Sequence, residues 1–147
     1  PIIGFGQDRY TWGELEFTLK DKDSVWVLST NLEPINGIVC HYYDNGNPSE
    51  EYIFKNGLEN GLGKKYHENG QLEYKGNWKN GNEHGSGEYY YENGQLESKG
   101  YYKNNKQNGF WNFWYENGQK KYVVNFTKKG TKFLNCWDQN GGKISCE

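Results

Sequence analysis

Three glutamates with matching surroundings, Glu68, Glu92 and Glu116, are the residues whose type and spacing most suggest chemistry. Each precedes an Asn-Gly-Gln turn, and they stand 24 residues apart. Paired carboxylates perform acid–base catalysis only when they converge on one point. Equivalent residues of stacked repeats lie along a line instead. We therefore interpret these glutamates as solvated flanks of turns.

The histidines give no stronger indication of catalysis or metal binding. His41 follows Cys40, but no further cysteine or histidine stands at the spacing of a metal site. His67 and His84 occupy repeat positions that tyrosine and asparagine fill elsewhere, which indicates structural roles. No local motif pairs a nucleophile with a base. We therefore predict a protein that is not an enzyme and that uses no metal or cofactor.

The C-terminal cysteines leave two interpretations open. Cys136 and Cys146 flank the glycine-rich stretch 140–142. A two-residue turn at positions 140–141 places Cys136 opposite Ser145, whereas a three-residue turn with Gly142 in a bulge places it opposite Cys146. The second register predicts a disulfide, and with it an oxidising compartment such as the periplasm or the cell exterior. The first leaves three free thiols, as in a cytosolic protein.

Composition narrows both the fold and the partners. Aromatic residues make up 18% of the chain, hydrophobic residues only 33%, and there are 20 glycines and no alanine, which favours strands and tight turns over helices. The net charge is −2 and Arg9 is the only arginine, so we predict no nucleic-acid partner. No apolar run approaches the ~20 residues of a membrane span. No signal peptide is visible, although a start at Pro1 leaves an upstream segment open.

A repeat of 24 residues supplies the elements that must position these side chains. Asn-Gly pairs begin at positions 45, 69, 93 and 117, and a fifth follows 23 residues later at 140. Polar and apolar residues alternate between the turns, as in 71–78 and 95–102, which is typical of strands with one wetted face. Glycines and aromatic residues keep the same spacing. They are Gly37, Gly61, Gly85 and Gly109, and Phe54, Trp78, Tyr102 and Phe126.

The Asn-Gly pair also predicts a register for each hairpin. Asn-Gly favours a two-residue type I′ turn. Such a turn at positions 93–94 pairs Tyr91 with Leu96 and, further from the turn, Gly87 with Gly100. Opposed glycines of this kind leave a gap in one face of the sheet.

Aromatic rings are available to fill these gaps. Trp78 and Tyr102 recur at a suitable phase of the repeat. In the third hairpin Trp111 and Val124 replace the two glycines. We expect the stack to fill its own end there, as terminal repeats tend to do.

The stretch 74–89, YKGNWKNGNEHGSGEY, resembles a MORN repeat in its Tyr-x-Gly-x-Trp, Asn-Gly and His-Gly-x-Gly landmarks. The longer spacing and the ENGQLE turn are similar to the MORN-variant repeats of bacterial proteins, many of which belong to the YwqK antitoxin family. The resemblance covers residues 35–147. It implies an all-β fold, an elongated and twisted antiparallel meander in one open sheet. Residues 1–34 are expected to form a divergent N-terminal capping segment, in which 12–17 is a worn copy of the turn.

The first functional hypothesis is a scaffold that binds another protein. On the outward face Tyr66, Tyr90 and Trp114 align 24 residues apart, interleaved with Lys64 and Glu88. Two interpretations stay open: these rings are exposed binding hot spots, or they cover one another within the sheet. The resemblance implies an antitoxin or immunity protein whose partner is a toxin.

The second hypothesis is a cell-surface module that binds glycans, choline or membrane lipid. Repeats dense in tryptophan and tyrosine are similar to choline- and glycan-binding repeats, whose rings stack on sugars or cage a quaternary ammonium. The net charge of −2 and the single arginine argue against acidic lipid. The oligomeric state stays open, because a free sheet edge can pair with a second copy.

Overall fold

Most of the chain folds into one open sheet. The computed structural model describes residues 8–20 and 23–146. The strands of the sheet are β1 (Arg9–Thr11), β4 (Gly37–Tyr42), β5 (Pro48–Lys55), β6 (Leu58–Tyr66), β7 (Leu72–Lys79), β8 (Asn82–Tyr90), β9 (Leu96–Lys103), β10 (Lys106–Trp114), β11 (Lys120–Thr127), β12 (Gly130–Trp137) and β13 (Lys143–Ile144). From β4 onward each strand pairs antiparallel with the next, so the predicted open antiparallel meander is confirmed.

The N-terminal part departs from the repeat. Strand β1 pairs parallel with β4, which makes one parallel edge on an otherwise antiparallel sheet. A short 3-10 helix (Trp12–Glu14) leads into a separate two-stranded sheet of β2 (Leu15–Lys20) and β3 (Asp23–Leu28). The division into a capping segment, 1–34, and an array, 35–147, stays a prediction. The described residues contain no helix with the length and apolarity that crossing a bilayer requires.

The Asn-Gly turns that define the repeat differ from the predicted type. The Gly94 N–H donates to the Tyr91 carbonyl at 2.8 Å. Gly94 has a φ of +80°, and the equivalent Gly46 has a φ of +86°. The loop therefore has three residues and a glycine bulge, and it is not a type I′ turn. As a result the predicted pairing of Tyr91 with Leu96 is wrong, and Tyr90 pairs with Leu96.

Further from the turn the predicted register is confirmed. A second irregularity next to Tyr90 restores the lost residue, so that Gly87 pairs with Gly100. Gly63 pairs with Gly76 in the preceding hairpin. The two offsets cancel, which explains why a wrong turn type still gave the right partners along most of each strand.

Type I′ geometry is found at the opposite edge of the sheet. Asn56 and Gly57 have φ angles of 53° and 75°, and Asn80 and Gly81 have 50° and 74°. These pairs join β5 to β6 and β7 to β8 with two-residue loops. The repeats that contain these pairs therefore have two kinds of turn, one at each end of their strands.

Aromatic rings fill the glycine gaps on one side of the sheet, which we call the inner face. A Cβ on Gly63 would overlap the rings of Tyr52 and Trp78, and one on Gly100 would overlap Trp111. Trp111 is fully buried. The predicted filling of the gaps by rings, and of the end of the stack by Trp111, is confirmed.

A second part of the core lies under the N-terminal segment. Ile35, Val39 and Phe54 are buried in one cluster with Tyr52. Trp12 packs edge-on against Phe54, with ring centroids 6.2 Å apart. The 3-10 helix and the two-stranded sheet therefore cover the start of the array. Beyond Tyr52 they no longer cover the inner face.

Candidate functional site

The predicted binding residues lie together on the side opposite the glycine gaps, which we call the outer face. Tyr66, Tyr90 and Trp114 end strands β6, β8 and β10 and are half-buried. We call these three residues the outer row. Their rings neither stand free nor cover one another completely, so the structure lies between the two interpretations.

A ladder of charged side chains runs beside the outer row. Glu51, Lys64, Lys75, Glu88 and Lys99 are successive cross-strand partners from β5 to β9. Glu88 accepts from Lys75 at 2.7 Å and from Lys99 at 2.8 Å. Glu51 accepts from Arg9 at 2.7 Å, with Lys64 3.9 Å away. We call these five residues and Arg9 the ion ladder; its four cations and two carboxylates give it a net positive charge.

The ion ladder holds the two tyrosines of the outer row in place. The Tyr66 hydroxyl donates to Glu51 at 3.0 Å, and the Tyr90 hydroxyl donates to Glu88 at 2.5 Å. The Lys75 ammonium also lies 5.8 Å from the centre of the Tyr90 ring, within cation–π range. Both rings are therefore fixed by polar contacts and keep one side towards solvent.

The ladder shifts the ionisation of its members. Burial alone would raise the pKa of Glu88, but hydrogen bonds from Lys75, Lys99 and Tyr90 outweigh it and lower the pKa to about 2. Burial and the hydrogen bond to Glu51 raise the pKa of Tyr66 to about 12. The carboxylate is thus charged, and the phenol neutral, throughout the physiological range.

Sequence analysis missed a cleft on the inner face. A cleft of about 340 Å³ is lined by three tyrosines, a tryptophan, Lys65, Asn105 and two carboxylates, Glu73 and Glu83. We call it the inner cleft. The alternation of side chains along a strand predicts Glu73 on the face opposite Tyr74. The register shift next to Tyr66 instead brings both residues into the cleft. The repeated glycines and aromatic residues indicate this face in the sequence. No sequence pattern indicates the bulge that places Glu73 on it.

The inner cleft is partly desolvated. Burial raises the pKa of Glu83, although the Tyr74 hydroxyl donates to its carboxylate and opposes that shift. Burial, followed by the hydrogen bond to Glu83, also raises the pKa of Tyr74. Charged groups in such a setting interact more strongly with a ligand than they do in open water.

A second cleft continues the first towards β4. It has a volume of about 270 Å³ and shares Lys65 and Glu73 with the inner cleft. Lys65 forms an ion pair of 3.0 Å with Glu50. His41 lies here too, with its Nδ1 2.8 Å from the Ser49 hydroxyl. The lining of the two clefts thus comprises three carboxylates and one lysine, with a net negative charge.

The repeated glutamates of the ENGQ turns take no part in either cleft. Glu68, Glu92 and Glu116 are exposed at one edge of the sheet. The asparagine of each turn makes the repeated contacts here. Asn93 accepts from the Gln95 N–H at 2.9 Å and donates to the Glu116 carbonyl of the next turn at 3.0 Å. Each turn is therefore bonded to its successor.

The histidines of the array also have repeat-like roles. The His67 Nε2 lies 2.9 Å from the Tyr90 carbonyl, and Tyr91, one repeat later, donates to the Trp114 carbonyl at 2.8 Å. His84 contacts Asn104 in the loop between β9 and β10. Among the described residues no group of three potential metal ligands comes together.

The last hairpin contains a disulfide between Cys136 and Cys146, whose Cα atoms are 5.4 Å apart. Both predicted registers are wrong, however, because the three-residue loop spans 139–141, one residue earlier than predicted, and Cys136 therefore pairs with Ile144. The Asp138 carboxylate accepts from the N–H groups of Asn140 and Gly142, which stabilises this loop. Cys40 is a buried free thiol beside Arg9.

The fold and its two surfaces define a β-repeat scaffold. A model of the MORN repeat matches residues 74–96, and a model of the MORN repeat variant matches residues 35–56 and 59–80. Residues 35–56 and 59–96 therefore match MORN repeats, which are commonly scaffolds that bind proteins or membranes. A search of curated proteins found no significant match.

Proposed function

We propose that this chain is a non-enzymatic scaffold that binds another protein through the outer row. The observation that carries the proposal is the half-exposed row of Tyr66, Tyr90 and Trp114, in which the ion ladder fixes both tyrosines. Tyrosine and tryptophan dominate binding energy at protein interfaces, and side chains that are already ordered lose little entropy on binding. Beyond β5, the described strands contact mainly their neighbours in the sheet, so no other described element covers this row.

The charge of the outer face indicates which partner surface fits. Arg9, Lys64, Lys75 and Lys99 outnumber Glu51 and Glu88. An acidic partner surface would be complementary, and its association rate would fall as salt screens the charges. We expect added salt to slow association more than it speeds dissociation.

The finer proposal is that the partner is a toxin and the chain its antitoxin or immunity protein. Its support is the resemblance of the ENGQLE turns to those of the YwqK antitoxin family. Co-expression with the product of the neighbouring gene tests it. We expect one stable complex in size-exclusion chromatography, which the double variant Tyr66→Ala/Tyr90→Ala fails to form. Absence of a complex with the wild-type chain would contradict the toxin proposal.

A second candidate, binding to an anionic membrane, is supported by the distribution of charge. Residues 99–147 contain nine lysines and three acidic residues, although the whole chain has a net charge of −2. Phe110 and Phe133 are exposed in this part, with 62% and 48% of their surface accessible. Sedimentation with anionic liposomes, and in parallel with peptidoglycan, tests this candidate. Binding to neither would leave protein partnership.

A further inference from the structure

The inner cleft has aromatic walls of fixed geometry. The Tyr52 and Tyr74 rings both stand nearly perpendicular to Trp78, at 89° and 86°, with centroids 5.0 and 5.7 Å from it. Tyr89 packs against Tyr74 at 4.4 Å. Tyr52 and Tyr74 are buried among their neighbours, and a side chain on Gly63 would overlap Tyr52 and Trp78. The rings therefore pack against one another and form the walls of the cleft.

The carboxylates of this cleft lack the cations that carboxylates of the outer face have. Within the described residues, neither Glu73 nor Glu83 has a lysine, arginine or histidine nitrogen within 4.0 Å, whereas Glu88 has two lysines. Lys65 also lines the cleft, but its ammonium is bound to Glu50. The cleft consequently keeps an excess of negative charge next to its aromatic walls.

Aromatic faces and carboxylates attract the same kind of ligand. The face of an aromatic ring carries negative potential and binds ammonium groups, most strongly where water is excluded. An anion would be repelled by both components. A volume of about 340 Å³ is at the lower end of small-molecule sites, about 300–1,000 Å³. It suits an ammonium head with a short aliphatic chain.

We propose that the inner cleft binds an alkylammonium cation, with Glu73 and Glu83 as counter-charges and Trp78 and the tyrosines as walls. The cation is either a lysine side chain of a bound polypeptide or a free amine such as a quaternary ammonium. Only the lysine source rests on the proposed scaffold function. The outer row lies on the other face of the sheet, so the two surfaces can be tested separately.

Calorimetric titration of the full chain tests the ligand class without any variant. The ligands are choline and its neutral carbon isostere 3,3-dimethylbutan-1-ol, and two peptides with acetylated N-termini and amidated C-termini, Gly-Lys-Gly and Gly-Lys(acetyl)-Gly. We expect at least one cation to bind with a Kd on the order of 1 mM, and its neutral counterpart to bind at least about tenfold more weakly. Binding of choline alone identifies a free amine, and binding of the lysine peptide alone identifies a polypeptide. No cation binding, or equal binding of the neutral counterparts, overturns the proposal.

The variant Glu73→Gln tests the site. It should weaken cation binding about fivefold or more, while Glu97→Gln, the equivalent position one repeat later and outside the cleft, should change it less than twofold. The Trp78 indole N–H signal, assigned with Trp78→Phe, should shift on titration. Equal effects of the two glutamine variants, or an unshifted Trp78 signal, would place the cation elsewhere and overturn the proposal. Failure of the outer-row variant to lose a protein partner would instead count against the scaffold function.

Discussion

The two faces of strands β5–β10 use the same repeat for different purposes. On the inner face, rings lie over glycines, and Trp111 is fully buried at the end of the row. On the outer face, Tyr66 and Tyr90 are tied to carboxylates of an ion ladder and remain half-exposed. The inner cleft has a net negative charge and the ladder a net positive one. Alternate residues of one strand can therefore supply stability to one side and recognition to the other.

The largest expected difference between the faces concerns two tryptophans of β10. Trp111→Ala should lower the free energy of unfolding by about 3–5 kcal/mol, because it removes a fully buried ring. Trp114→Ala, on the half-exposed outer row, should cost about 1–2 kcal/mol. Urea unfolding followed by circular dichroism measures both. Equal costs would show that the two faces do not differ in their contribution to stability.

A glycine substitution tests the packing of the inner face by adding atoms to it. In Gly100→Ala the new methyl group overlaps Trp111, so we expect a loss of about 2–3 kcal/mol in the free energy of unfolding. Gly13→Ala is the control: its nearest atom, the Thr11 hydroxyl oxygen, is 4.0 Å from the new Cβ, and the change should stay within about 0.5 kcal/mol. Unchanged stability of Gly100→Ala would mean that the ring is free to move away.

The contribution of the outer face to the free energy of unfolding should depend on pH. The pKa of Glu88 is lowered to about 2, so its contribution to stability is present above its ordinary pKa of 4.5 and is lost as pH falls towards 2. Its lysine partners are 41% and 53% exposed, and solvent screening reduces the expected cost of Glu88→Gln at pH 7 to about 1 kcal/mol.

Stability measured between pH 7 and pH 2 checks this expectation. The difference between wild type and Glu88→Gln should shrink below pH 4.5 and disappear near pH 2. Glu92→Gln, at an exposed turn, is the control and should be neutral. A difference that is constant over this range would contradict a role for the Glu88 charge.

Sequence predicted the sheet better than the sites because the two depend on different details. The 24-residue spacing is visible in the sequence itself, and the Gly87–Gly100 pairing was predicted correctly because the irregularity next to Tyr90 cancels the error in turn type. The turn type depends on local hydrogen bonds: Asn93 binds the Gln95 N–H and the next turn, and this favours a three-residue loop over type I′. The inner cleft depends in turn on the bulge that this loop requires, so it was not predicted.

The outer row was predicted because the position of its residues in the repeat determines the face of the sheet on which they lie. Tyr66, Tyr90 and Trp114 share one phase, and strand alternation places them with Lys64 and Glu88. Their degree of burial was not predictable, since it depends on where the lysine and glutamate side chains of the neighbouring strands lie. The Cys136–Cys146 disulfide forms in a register that neither predicted turn allows, because the three-residue loop lies at 139–141 and not at 140–142.

Calorimetry with the partner protein tests the separation of the two faces most directly. Against wild type, Tyr66→Ala/Tyr90→Ala should weaken partner binding by about 100-fold or more, the loss expected for interface hot spots. Glu88→Gln should weaken it less, by releasing the Tyr90 ring and so speeding dissociation, because loss of a negative charge does not slow association with an acidic surface. Substituting Glu97→Gln should leave it unchanged. Wild-type affinity in the outer-row variant, with the variant still folded, would contradict recognition by this face.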